Sequence, residues 1–165
     1  MRRLTVALLI IASFLITPPA LAKGVDYAVL TGPGVRPVEI KPSTAAADRR
    51  LHALRVETAV NEAMLKELPD VFGAKRPRGK LGPRYRLAWH VPGNPDTWIV
   101  QYVYPYAKPR PVVHTPKQRQ VAHPGWYRAP SSLKGTLAKL GLPARVGSAT
   151  NRVHLSPSGT TRSPE

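Results

Sequence analysis

The sequence predicts an α+β fold: a small antiparallel sheet packed against one long helix and a short C-terminal helix. Three observations carry this expectation. Residues 84–104 alternate apolar and polar side chains around a turn-forming centre, Pro92-Gly93-Asn94-Pro95-Asp96-Thr97, which is the pattern of a half-buried hairpin. Residues 43–68 hold neither Gly nor Pro and repeat apolar positions at helical spacing. Leu133, Leu137 and Leu140 stand at i, i+4 and i+7, a single buried helical stripe.

Taken in order, the chain opens with Arg2 and Arg3, an apolar run over 4–16, a break at Pro18-Pro19 and the small-x-small pattern Ala20-Leu21-Ala22. Those features predict a signal peptide over 1–22, cleaved after Ala22. The run of thirteen residues is shorter than the roughly 20 that span a bilayer as a helix. Past residue 22 no segment approaches spanning length, so the product is expected to be secreted or envelope-associated rather than transmembrane. A single domain is expected over 23–142. The tail over 143–165 loses apolar periodicity and reads as disordered.

Tyr27-Ala28-Val29-Leu30-Thr31 reads as a strand stopped by Gly32-Pro33-Gly34, and Val38-Glu39-Ile40 as a second short strand. The long helix is expected over 44–68, capped by Ser43 or Thr44. Leu51, Leu54, Leu65 and Leu68 gather on one side with Ala47, and Val56, Val60 and Met64 adjoin them. Arg50, Glu57 and Asn61 fall inside this apolar arc, which is unexpected. Residues 71–83 form a basic connector carrying Lys75, Arg76, Arg78 and Lys80, expected to be exposed and mobile. In the hairpin, pairing Val91 with Trp98 sets Trp89 against Val100, Leu87 against Tyr102 and Tyr85 against Tyr104. All of these rings then lie on one face. Further strands are expected over 112–115, 119–122 and 125–128. A helix over 132–140 follows, with Gly141 as its stop and Gly135 weakening it by about 1 kcal/mol.

The composition bounds the chemistry. There are 25 Lys+Arg against 9 Asp+Glu, a formal net charge of +16, and no cysteine. Disulfide scaffolds, cysteine nucleophiles and cysteine-ligated metals are thereby excluded, and an exported chain of this kind must hold together by core packing. The charge is concentrated. Residues 71–130 hold eleven Lys/Arg and a single acid, Asp96, together with nine of the ten aromatics that follow residue 22. Cations beside rings suit polyanions and sugars. The plainer reading makes the rings the core of the sheet and the charges its solvated face, and the hairpin pairing above favours it.

These observations predict a non-catalytic binding or envelope-associated module with a basic surface. Its expected anion-binding residues are Arg84, Arg86 and His90, with Lys75, Arg76, Arg78 and Lys80. The expected partner is an anionic cell-envelope polymer or an anionic lipid surface. Nucleic acid is not expected, because no ribonucleoprotein, zinc-finger or helix-turn-helix pattern accompanies the charge. Two alternatives stay open. One is a secreted hydrolase using His90 or His114 with Glu57. The other is a partner-binding or inhibitor protein using the proline-rich 105–116 segment. The five histidines are spread singly, with no zinc-ligand spacing, so no metal or other cofactor is expected.

Three stretches carry a resemblance: YAVLTGPG over 27–34, QYVYPYAKPRPVVHTP over 101–116 with Gln118, and GWYRA over 125–129. Together they resemble small exported or membrane-associated proteins of high-GC Gram-positive bacteria that have no assigned activity. The resemblance implies one folded unit from about residue 25 to 142 and transfers no catalytic or binding residue.

Overall fold

Residues 24–143 are described by a computed structural model of the chain. The signal peptide expected over 1–22 lies outside the described residues, as does the tail expected over 143–165 except for its first residue. Tyr27–Gly32 (β1) turns at Pro33-Gly34 into Val35–Ile40 (β2). Two helices follow, Ala45–Thr58 (α1) and Val60–Met64 (α2). The chain then returns as Tyr85–His90 (β3), Ile99–Tyr104 (β4), Val112–Thr115 (β5) and Gly125–Arg128 (β6), and ends in helix Ser132–Ala138 (α3). The six strands form one sheet in the order β2-β1-β3-β4-β5-β6, with every pair antiparallel. The α+β expectation holds. The expected strand over 119–122 is instead a loop, in which the amides of Ala122 and His123 donate to the Ala63 carbonyl.

The core lies between the sheet and α1 with α3. Leu51 and Leu54 of α1 and Leu133 and Leu137 of α3 pack in one cluster with Leu30, Leu87, Trp89, Ile99, Val103 and Val113. Each such side chain contributes about 1.5–3 kcal/mol by leaving water. Among the described residues no helix is long and apolar enough to cross a membrane.

The helix expected over 44–68 is divided and shortened. Thr44 is its N-cap, with Oγ1 accepting the Ala47 amide at 3.1 Å. Ala59 then adopts the left-handed conformation, φ 51°, between α1 and α2, at a cost of roughly 1–2 kcal/mol for a residue with a Cβ. Hydrogen bonding explains the break. The Thr58 carbonyl accepts from Gln101 Nε2 at 3.1 Å, and the Thr58 hydroxyl donates back to the Leu54 carbonyl at 2.8 Å. Farther on, the Ala63 carbonyl is taken by Ala122 and His123, and Leu65 is already extended.

The hairpin register also departs from expectation, by one residue. Trp89 is opposite Ile99, Leu87 opposite Gln101, and Tyr85 opposite Val103. A shift of one residue moves a whole strand's side chains to the other face. Ile99, Gln101 and Val103 therefore face the core, and Val100, Tyr102 and Tyr104 face away from α1 and α3. The polar Gln101 is fully buried because its amide is satisfied. Nε2 donates to the Thr58 carbonyl and to Thr115 Oγ1, at 3.1 and 2.9 Å, and Oε1 accepts the Trp89 indole N–H at 2.9 Å.

Candidate functional site: an aromatic and cationic sheet face

The register places a row of side chains across the sheet face opposite α1 and α3. Thr31 pairs with Arg86, Arg86 with Tyr102, Tyr102 with His114, and His114 with Trp126. Directly paired residues point to the same side, so these five share one face. The rings stack on one another. His114 lies 4.2 Å from Trp126 and 6.3 Å from Tyr102 between centroids, with interplanar angles of 19° in both cases. Tyr104 stacks on Trp126 at 5.9 Å. The Arg84 guanidinium caps the Tyr102 ring at 4.7 Å, a favourable cation–π arrangement. Burial holds the His114 pKa below the ordinary imidazole value, so its ring is neutral at pH 7.

The basic connector is a strap across the β6 edge. At one end Phe72 packs on Tyr127, with centroids 5.7 Å apart, on the core side. Gly73 then pairs with Trp126, exchanging two backbone hydrogen bonds of 2.8 Å. At the other end Leu81 is buried against Val112, Ala107, Tyr104 and Trp126, and the Lys80 carbonyl accepts the Lys108 amide at 3.1 Å. The strap thus crosses from the helical side of the sheet to its other side and covers the unpaired edge of β6. Both of its ends are anchored, while Lys75, Arg76, Arg78 and Lys80 remain exposed.

Of the seven residues expected to bind anions, six gather here. Arg84 and Arg86 lie on the face, and Lys75, Arg76, Arg78 and Lys80 lie on the strap at its edge. His90 does not join them. It sits at the far end of β3, only 7% exposed, stacked on Tyr27 at 4.3 Å, with Nδ1 3.1 Å from the Pro95 carbonyl oxygen. Tyr102, Tyr104, His114 and Trp126 are not expected on this face from the sequence, whereas Arg128 is expected nearby if the strands follow in order. Alternation within 125–128, GWYR, holds their signal, since it separates Trp126 and Arg128 from Tyr127 by one residue, but only the register decides which side is which. Asp96, the single acid of 71–130, is in the β3–β4 loop.

The residues of the two alternative readings are placed as follows. Glu57 is buried and its Oε2 has no hydrogen-bond partner. Neither His90 nor His114 contacts a carboxylate among the described residues; the one such histidine is His123, with Nδ1 3.7 Å from Asp70. In the proline-rich 105–116 segment Pro105, Ala107 and Pro111 are buried and 112–115 is the interior strand β5, which leaves 108–110 exposed.

Comparison with protein-family models, with curated proteins and with solved structures finds no match to this chain.

Proposed function

We propose that the protein is an exported, envelope-associated binding module that uses the face around Arg84, Arg86 and Arg128, together with the strap, to capture an anionic polymer. The observation that carries this reading is the clustering of cations on a strap and in a cleft lining that contain no acid. Arg84 is held over Tyr102, and Lys75, Arg76, Arg78 and Lys80 line the adjacent edge. Cations on a rigid sheet lose little freedom on binding, and their summed field attracts polyanions over about a Debye length, some 10 Å at 0.1 M salt. Neutralising polymer charges releases counterions, so the logarithm of the affinity falls linearly with the logarithm of the salt concentration.

The test is co-sedimentation with isolated cell-wall polymer, with anionic vesicles and with neutral vesicles across a salt series. Retention on the wall polymer that weakens steeply with salt supports the reading, and retention on anionic vesicles alone moves the partner to lipid. Salt-independent retention, or none at low salt, overturns it.

A further inference from the structure

Between the strap and β6 lies an open cleft of about 540 Å³, lined by Trp126 together with Lys75, Arg76, Arg78 and Arg128. The residue paired with Trp126 across the edge is Gly73. Every other ring of the row has a neighbour on each side. Tyr102 lies between Arg84 and His114, and His114 between Tyr102 and Trp126. Trp126 is packed by His114, Tyr104 and Leu81, yet it is the one ring of the row that also lines the cleft, and there its paired neighbour has no side chain.

The glycine is not required there by crowding. A Cβ at Gly73 would meet nothing nearer than the Trp126 carbonyl oxygen at 3.8 Å, an ordinary contact. Gly73 is also outside the left-handed region, unlike Gly125 beside it. Its effect is to add no side chain to the cleft beside Trp126, within a cluster of four cations.

We infer that this cleft binds one phosphate-bearing sugar ring of an anionic glycan, the ring stacking on Trp126 and the phosphate lying among Lys75, Arg76, Arg78 and Arg128. The inference rests on the anion-binding reading above and names its ligand class. A sugar presents apolar C–H faces that pack on indole, and a phosphate accepts charge-assisted hydrogen bonds from arginine. Single-stranded nucleic acid is disfavoured because its binders offer successive free rings for successive bases. Here Trp126 alone of the row Tyr102, His114 and Trp126 lines the cleft, so a single platform is offered.

The experiment is calorimetric titration of the protein with four probes matched in charge where charged. They are a phosphodiester-linked hexose oligomer, the same glycan without phosphate, an oligo(glycerol phosphate) and an oligothymidylate. The hexose phosphate is expected to bind at least fivefold more tightly than the glycerol phosphate, which has the charge but no ring, and the uncharged glycan only weakly. Gly73→Leu, which covers the indole, and Trp126→Ala, which removes it, are each expected to erase that ratio while leaving glycerol phosphate affinity within about twofold. Quenching of indole fluorescence by the hexose phosphate, and not by the glycerol phosphate, supplies a readout on the unsubstituted protein should either variant fold poorly. Equal affinity for the two phosphate polymers, or a ratio untouched by Gly73→Leu, overturns the ring site and leaves the anion-binding reading intact. Tightest binding to oligothymidylate overturns it in favour of nucleic acid. Binding to none of the charged probes overturns both readings together.

Discussion

The indole N–H of Trp89 donates to the side-chain oxygen of Gln101 at 2.9 Å, in the fully buried centre of the molecule. The same amide holds the Thr58 carbonyl and the Thr115 hydroxyl. One side chain therefore joins β3, β4, β5 and the end of α1. Replacing Gln101 by Leu keeps the approximate volume and removes all three partners at once. Each buried polar group left unpaired costs about 1–3 kcal/mol, partly relieved by the gain in apolar packing. The expected net loss is about 3 kcal/mol, read as a lower urea midpoint at unchanged slope. A loss below about 1 kcal/mol would show that the amide is not the joint described here.

That same residue explains which parts of the fold were legible in the sequence. Strand and helix positions followed from alternation, from Gly-Pro punctuation and from the Leu133–Leu137 stripe, because each depends on neighbours close in the chain. The hairpin register did not, since a polar residue in a strand is ordinarily assigned to solvent. Gln101 is inside because Thr58, 43 positions away, and Thr115 satisfy it, and no local pattern announces such partners. The one-residue shift then carries Tyr102 and Tyr104 outward and uncovers the candidate site. The helix break at Ala59 was illegible for the same reason, since the Gln101 amide takes the Thr58 carbonyl there. The cations of the site were legible by composition; the rings that organise them were not.

Gly125 decides whether the strap can close on β6. It adopts φ 152°, and a Cβ there would stand 2.8 Å from the Gly73 carbonyl oxygen and 3.1 Å from Phe72 Cβ. Gly125→Ala is expected to destabilise the protein by about 2 kcal/mol or more and to speed hydrogen exchange at the Gly73 and Trp126 amides. Gly73→Ala, where the space is open, should leave both measurements nearly unchanged. Equal effects of the two substitutions would refute the assigned strap geometry.

His114 gives the stability a defined pH dependence. Its pKa is lowered in the folded protein by burial, while the unfolded chain has the ordinary value near 6.5. Above that value both states carry a neutral ring and its titration adds no pH dependence. As pH falls below it, the unfolded state takes up the proton first, so stability is lost until the folded ring protonates as well. Protein with His114→Gln is expected to lose less stability between about pH 7.5 and 5.5 than the unsubstituted protein. Chemical denaturation at the two pH values makes the comparison, and the difference between the proteins isolates this ring from the other histidines. An identical loss in both would remove His114 as a source of the dependence.

The cations on the sheet face can be separated from the protein's general positive charge. Arg84 sits over Tyr102, and Arg86 pairs with Tyr102 in the adjacent strand; Arg49 is exposed on α1 on the far side of the core. Net charge alone would make any single arginine equivalent for long-range attraction. A docked polymer instead displaces counterions only where its charges meet protein cations, each contact adding about 0.9 to the slope of log affinity against log salt for a duplex polyanion and about 0.7 for a single strand. Arg84→Ala with Arg86→Ala is thus expected to reduce the slope for wall polymer by between about 1 and 2, and the charge-matched Arg49→Ala with Arg50→Ala, both exposed on α1, to leave it unchanged. The check is a salt titration of binding for the three proteins, with thermal melts confirming that all remain folded. Equal slopes for the face and α1 variants would mean that the polymer senses total charge and that this face is not where it docks.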